Sequence, residues 1–199
     1  MPYQESTADI LKTGGVGVLP TDTLYGLLGS ALLPDTVERI YELKRRSFDK
    51  PLIVLVADIE DTEQFGAVLS EKLIGAASGE SSGSWRGLSS RGLLDRYWPG
   101  PYSIIIPIVD DSFEYLSRGT DAIAFRLPNN EELRELLRKT GPLVAPSANV
   151  EGRPIARTVA EARKYFGDDI DFYIDGGELS AKPSTILKWD GCGFTIVRE

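Results

Sequence analysis

The sequence predicts an α/β (α+β) protein, a mixed β-sheet covered by helices. Strand-like and helix-like segments alternate along the whole chain, which is the pattern of a sheet with helical connections. A length of 199 residues suits one domain around one sizeable core, and 42% hydrophobic with 26% charged residues is an ordinary globular composition. No internal repeat divides the chain, so residues 1–199 are expected to form a single catalytic-sized domain.

Gly14-Gly15 followed by Val16 to Pro20 reads as a turn entering a short buried strand, closed by a proline that cannot extend a ladder. Thr21 to Leu27 then sets several hydroxyls close together at a strand end. From Pro34 to Arg46, Val37, Ile40, Tyr41 and Leu43 fall at helical spacing. Asp35 and Glu38 stand early and Lys44, Arg45 and Arg46 late, as the helix dipole prefers, so this helix should end near Arg46. Leu52 to Ala57 is a compact apolar strand, and Asp58 to Gly66 begins a helical stretch. Residues 76–92 turn Gly- and Ser-rich, with Trp85 the only aromatic, and read as a flexible surface insertion.

Trp98-Pro99-Gly100-Pro101 makes a rigid turn into a strand from Tyr102 to Val109. Asp121 to Leu127 is a strand stopped by Pro128. Asn129 to Lys139 is an N-capped helix, with three glutamates ahead of Arg138 and Lys139. Gly141 to Ala145 is a strand, Thr158 to Phe166 a helix and Ile170 to Ile174 a strand. After the turn Asp175-Gly176-Gly177, the strands Ser184 to Trp189 and Phe194 to Arg198 close the chain.

The chain contains no histidine. That excludes a Ser-His-Asp triad, a Cys-His pair, His-liganded zinc and an imidazole base. Chemistry here must run on carboxylates, Lys, Arg, hydroxyls, backbone dipoles or a bound metal. A lone Cys192 forms no intramolecular disulfide, and Met1 to Lys12 lacks the order of a signal peptide. No apolar run reaches the roughly 20 residues that span a bilayer. A cytoplasmic protein without membrane attachment is expected. With 22 Lys+Arg against 30 Asp+Glu, the net charge of −8 argues against a broad surface for phosphate backbones but leaves room for a small basic pocket.

Four segments share one pattern, an apolar strand running into a small polar turn: Pro20 to Gly26, Trp98 to Ser103, Pro146 to Asn149 and Lys182 to Thr185. In open α/β sheets, ligands gather at such strand ends. Each alone is also ordinary turn chemistry. Lys44, Arg45, Arg46 and Lys50 place four cations within seven positions. A solvated helix end is the usual explanation for such a run, but the strand that follows fixes this one beside the sheet. Lys44 and Arg46 can reach one anion only where the helix has begun to unwind. Fixed cations around a polyphosphate are what phosphoryl or nucleotidyl transfer requires. Neither a GxxxxGKS/T phosphate loop nor GxGxxG occurs.

Pro20 to Leu27, the KxR motif Lys44-Arg45-Arg46, Lys50 to Val54, Trp98 to Pro101, Phe125 to Pro128, and the SxN motif Ser147-Ala148-Asn149 with Gly152 and Pro154 closely resemble the YrdC-like threonylcarbamoyl-AMP synthases. Asp175 to Gly177 and Ser184 to Leu187 resemble later segments of the same family. The likeness runs in order from about residue 7 to the C-terminus.

The resemblance implies a twisted mixed sheet with an open concave cavity. It also implies an enzyme joining L-threonine, bicarbonate or CO2, and ATP (with Mg2+) into threonylcarbamoyl-adenylate and pyrophosphate. A downstream transferase complex would move the threonylcarbamoyl group to N6 of the tRNA adenosine next to the anticodon. Lys44 and Arg46 match the catalytic cations, and Lys50 a further phosphate-facing position. Thr23 and Tyr25 match the threonine side of the cavity, and Ser103 a position near the nucleotide. Ser147 and Asn149 match substrate and phosphate contacts, Ser184 a substrate contact, and Arg198 a late arginine near the nucleotide. Arg126, in the matching Phe125 to Pro128 segment, joins the binding set.

Two departures stand out. Leu55 occupies a place where longer members carry a threonine-contacting histidine, and residues 76–92 look inserted relative to typical short members. Lacking the extension of the longer branch, the chain is expected to belong with the short form. Two other readings are an RNA-binding protein of the same fold and a relative using another carbamoyl donor.

Overall fold

The computed structural model describes residues 3–70 and 92–199, so residues 76–91 of the expected insertion lie outside the described residues. Nine described strands follow in chain order: β1 (Gly17–Pro20), β2 (Tyr25–Ser30), β3 (Ile53–Leu55), β4 (Tyr102–Pro107), β5 (Ala122–Arg126), β6 (Leu143–Val144), β7 (Phe172–Tyr173), β8 (Thr185–Trp189) and β9 (Phe194–Arg198). They join in the order β7-β1-β2-β6-β3-β5-β4-β8-β9. The pairs β1/β7, β3/β5 and β4/β8 are parallel and the others antiparallel, which makes the sheet mixed, as expected.

Alternation along the strands divides the core between the two faces of the sheet. Val18, Leu27 and Val54 join one cluster, while Leu19, Leu28 and Leu55 join the other. On the first face lie α2 (Pro34–Lys44), through Val37, Ile40 and Tyr41, and the late helix Val159–Phe166, through Ala162 and Phe166. The second face is covered by α1 (Glu5–Lys12) and by Glu131–Thr140, whose Leu133, Leu136 and Leu137 repeat at helical spacing. In chain order the short helix Glu114–Ser117 is α3, Glu131–Thr140 is α4 and Val159–Phe166 is α5.

The expected helices form with local causes that are visible in the structure. Asn130 Oδ1 accepts from Leu133 N at 2.9 Å to cap α4, and Thr158 Oγ1 accepts from Glu161 N at 3.2 Å to cap α5. Helix α2 stops two residues short of Arg46, because Arg45 takes a left-handed conformation (φ 49°, ψ 42°) and its N–H closes onto Glu42 O. Asp58 opens a 3-10 helix, Ile59–Phe65, where a helical stretch was expected, and Gly66 ends it at φ 68°. Helix α3 and the short 3-10 turns Leu94–Arg96 and Asp111–Phe113 were not anticipated from sequence, and neither were α1 and β2. Helix α1 lies in a polar segment whose buried residues are only Thr7, Ala8 and Leu11, and β2 follows the hydroxyl-rich turn with all six residues buried.

Phe125 lies at the centre of the first core. It is fully buried, opposite Val54 and Ile104 on the neighbouring strands, with its ring 5.4 Å from that of Phe65. Phe125→Ala is expected to lower the unfolding free energy by about 3–5 kcal/mol in urea denaturation. A loss under about 1 kcal/mol would show that this position is not the packed centre described.

Candidate active site

A cavity of about 150 Å³ opens where four segments converge: the β1–β2 connection, the stretch from Arg46 through β3, the loop after β6, and the start of β8. The first segment is shaped by Thr21. Its hydroxyl donates to Leu24 O at 2.8 Å and accepts from the N–H groups of Thr23 and Leu24 at 3.2 Å each. This turn presents Thr23 at the cavity, with the Thr21 and Thr23 hydroxyls 3.2 Å apart. Tyr25 follows, its phenol donating to Gly177 O at 2.7 Å and accepting from Gly176 N at 2.8 Å. Burial raises the Tyr25 pKa, against the Gly176 hydrogen bond that lowers it, so the phenol stays protonated near neutral pH.

The loop after β6 is zipped to β2: Leu27 N donates to Pro146 O at 2.9 Å and Ala148 N to Tyr25 O at 2.8 Å. Ser147 lines the cavity and donates to Asn149 Oδ1 at 2.7 Å, while Asn149 Nδ2 donates to Arg153 O at 2.7 Å. Beneath it lies Lys44. Its ammonium, at the last turn of α2 and 2% exposed, donates to Ser147 O at 2.5 Å, Asn149 O at 2.7 Å and Asn149 Oδ1 at 3.2 Å. Burial pushes the Lys44 pKa down to about 7, Arg46 adds to the shift and Glu151 opposes it.

The structure therefore separates the expected cation cluster. Arg46 lines the cavity, but Lys44 does not, because the left-handed turn at Arg45 reverses the chain after Lys44 has already packed under the SxN loop. Lys50 is exposed and pairs with Glu151 at 2.6 Å. Arg46 is aimed by Nε donating to Lys50 O at 3.1 Å and a terminal nitrogen donating to Pro51 O at 3.3 Å. Arg198 reaches the same cavity from β9 and donates to Ser184 O at 3.0 Å. Its pKa is lowered by burial and then by Arg46, so the two guanidiniums sense each other. Neither makes an ion pair among the described residues.

Thr23, Tyr25, Arg46, Arg126, Ser147, Ser184 and Arg198 all line the cavity. Ser103 stands behind it, its buried hydroxyl 2.9 Å from that of Ser184, and Asn149 acts on Ser147. Arg126 is buried in an ion pair with Asp22, whose other oxygen accepts from Asn129 N at 3.0 Å. Sequence reading missed Asp22 as this counter-charge, although it stands inside the Thr21-Asp22-Thr23 turn. It also missed Ile155 and Ile186, for which no local pattern distinguishes a cavity wall from core.

The described residues build no magnesium site. Among the described residues no three His, Cys, Asp or Glu side chains converge, and both Asp22 oxygens are engaged. These residues do not fit a resident divalent ion.

Two arginines without carboxylate partners among the described residues stand beside hydroxyls at the strand ends of a mixed sheet, an arrangement whose charge and donors suit a small anion. The family model described as Sua5_yciO_yrdC, telomere recombination, matches residues 9–199, and the chain belongs to that family. It is 32% identical over 189 residues to the threonylcarbamoyl-AMP synthase of Bacillus subtilis (strain 168), covering 94% of this chain and 50% of that protein. A threonylcarbamoyl-AMP synthase of Pseudomonas paraeruginosa (strain DSM 24068 / PA7) is 32% identical over 198 residues, covering 98% of this chain and 95% of that protein. Among solved structures, P. abyssi Sua5 complexed with L-threonine superposes with a TM-score of 0.80 at 29% identity, over 97% of this chain and 52% of that one. E. coli YciO shares the fold, with a TM-score of 0.77 at 22% identity over 98% of this chain and 87% of that one. The chain thus spans about half the length of the Bacillus and Pyrococcus proteins it matches.

Two outcomes follow from the buried charges. Removing Asp22 strands the Arg126 guanidinium, so Asp22→Ala should cost about 3–5 kcal/mol in chemical denaturation, and adding Arg126→Met should recover much of it. Full additivity of the two losses would contradict the pairing. Lys44 titrates near 7 when folded and near its ordinary 10.5 when unfolded, so the unfolded chain binds more protons between these values and stability rises with pH there. The stability difference between wild type and Lys44→Met should therefore grow from pH 7.5 to 9, by up to about 1.4 kcal/mol per pH unit. A flat or falling difference would refute the shift.

Proposed function

We propose that the protein is a nucleotidyltransferase that forms threonylcarbamoyl-adenylate and pyrophosphate from L-threonine, bicarbonate and ATP. The observation that carries this reading is the convergence of Arg46 and Arg198 with the Ser147 and Ser184 hydroxyls on one cavity, in a family whose named relatives include threonylcarbamoyl-AMP synthases. The threonine-bound Sua5 neighbour supports an amino acid in the corresponding cavity.

The chemistry suits a chain without histidine. Threonine and bicarbonate condense to a carbamate with loss of water and a proton. A carbamate oxygen then bonds to the α-phosphorus of ATP as the bond to the bridging oxygen breaks, and pyrophosphate leaves with that electron pair. Neither step needs a protein nucleophile. What the protein supplies is orientation of two anionic reactants and fixed positive charge where charge builds in the transition state.

Arg46 and Arg198 supply the charge. Thr23, Tyr25, Ser147 and Ser184 line the place where the reactants meet, with Arg126 beside them. Lys44, Asn149 and Ser103 position these groups through the hydrogen bonds described. Lys50, exposed on its segment, reaches phosphate by exchanging its Glu151 partner for the nucleotide. Magnesium would arrive with ATP, held by its phosphates. The adenylate is consumed by a transferase acting on tRNA adenosine in the cytoplasm.

Arg46→Ala is expected to lower pyrophosphate release by about 100-fold or more, the usual effect of deleting one preorganised donor, with an unchanged circular dichroism spectrum. Near-wild-type turnover would remove Arg46 from the site. ATP turnover in the wild type that ignores omission of threonine or bicarbonate would remove the synthase reading itself.

A further inference from the structure

Glu151 is a carboxylate set among the cations of the site. It follows the SxN loop, and its own N–H donates to Lys44 O at 2.8 Å, which fixes it beside the end of α2. One carboxylate oxygen accepts from Lys50 Nζ at 2.6 Å and the other from Ser47 N at 3.0 Å. These two hydrogen bonds, with the charges of Lys50 and Arg46, hold the Glu151 pKa below the ordinary carboxylate range, so the group is ionised at neutral pH. Asp49, next to Lys50 in the chain, is turned instead onto the Ser47 hydroxyl.

The Lys50–Glu151 pair is not what shapes its loop. Lys50 O accepts from the Tyr41 hydroxyl at 3.0 Å and from Arg46 Nε at 3.1 Å, and the Phe48 ring stacks on Tyr41 with centroids 5.1 Å apart. The Lys50 backbone is therefore held while its half-exposed side chain is free to change partner. An exposed ion pair is weak enough for a phosphate to displace it. A ligand that must displace a resident partner binds with an apparent affinity lowered by the fraction of time its site is free.

Resting on the synthase reading above, in which Lys50 meets the nucleotide, we propose that Glu151 is an internal competitor of ATP. Its carboxylate and a nucleotide phosphate contend for the Lys50 ammonium, so Glu151 sets the nucleotide affinity of the site. The exchange breaks no covalent bond and moves no proton. A competitor also differs from a structural clamp in sign: removing a clamp loosens the site and weakens ATP, whereas removing a competitor tightens it.

The test is isothermal titration calorimetry with ATP at low ionic strength on the wild type, Glu151→Gln, Lys50→Met and the double variant, beside an assay of threonine- and bicarbonate-dependent pyrophosphate release. Glutamine keeps an oxygen for Ser47 N and removes the charge. Glu151→Gln is expected to tighten ATP about 2–5-fold, the range of an exposed ion pair. With Lys50 already replaced, the same change should alter ATP affinity by less than about 1.5-fold. Tightening that needs Lys50 supports the proposal. Unchanged or weaker binding in Glu151→Gln overturns it, and so does a gain that persists with Lys50→Met, which is general charge and not competition. Lys50-dependent tightening without pyrophosphate release keeps the competition and rejects the synthase. Pyrophosphate release with unchanged ATP affinity keeps the synthase and rejects the competition. Failure of ATP to bind any of the four proteins rejects both.

Discussion

The site depends on one buried ammonium. Lys44 sits at the end of α2 with its Nζ under the Ser147 to Asn149 loop, and three acceptors of that loop converge on it. Burial has already lowered the Lys44 pKa to about 7, and the inward-facing carbonyls are what give the buried nitrogen its hydrogen bonds. The return bond from Glu151 N to Lys44 O, at 2.8 Å, closes the same connection from the other side. Because Ala148 N is also tied to Tyr25 O, the tether passes to β2 and so to the opposite wall of the cavity. Helix α2, β2 and the SxN loop are thus joined by hydrogen bonds that meet at this loop.

Electrostatics then explain how a chain of net charge −8 keeps a locally positive cavity. Arg126 is neutralised by Asp22 and Lys50 by Glu151. Arg46 and Arg198 are held by carbonyl oxygens instead, which fix their direction, and neither meets a carboxylate among the described residues. Two like charges that sense each other are stabilised by an anion between them. The carbonyls of Lys50, Pro51 and Ser184 therefore aim the arginines, and an acidic surface elsewhere does not reach that local field beyond the screening length.

Much of this was legible in the residues. The helical spacing of Val37, Ile40, Tyr41 and Leu43 marked α2, Thr158 marked the start of its helix, the start read at Asn129 fell one residue before the Asn130 cap, and Phe194 to Arg198 matched its strand at both ends. The helix end does unwind at the left-handed Arg45, but the turn sends Lys44 under the SxN loop and Arg46 to the cavity, so the two do not meet on one anion site as the sequence allowed. What could not be read is what depends on distant partners. Nothing local says that the Lys44 ammonium will find carbonyls more than a hundred positions away, or that Asp22 will meet Arg126. Strand β2 was hidden because Tyr25 to Ser30 is buried on both faces and lacks the alternation of a half-exposed strand. Helix α1 was hidden because only a narrow stripe of a polar segment touches α4.

The synthase proposal holds that a histidine-free cavity joins a carbamate oxygen to the α-phosphorus of ATP by orientation and fixed charge, without a protein nucleophile. Mass spectrometry of a reaction containing ¹³C-bicarbonate, L-threonine and ATP tests it most directly. The account predicts a product holding adenylate, threonine and the labelled carbon together, with one pyrophosphate released for each. Label absent from any adenylate, with ATP cleaved to ADP and phosphate, would contradict it.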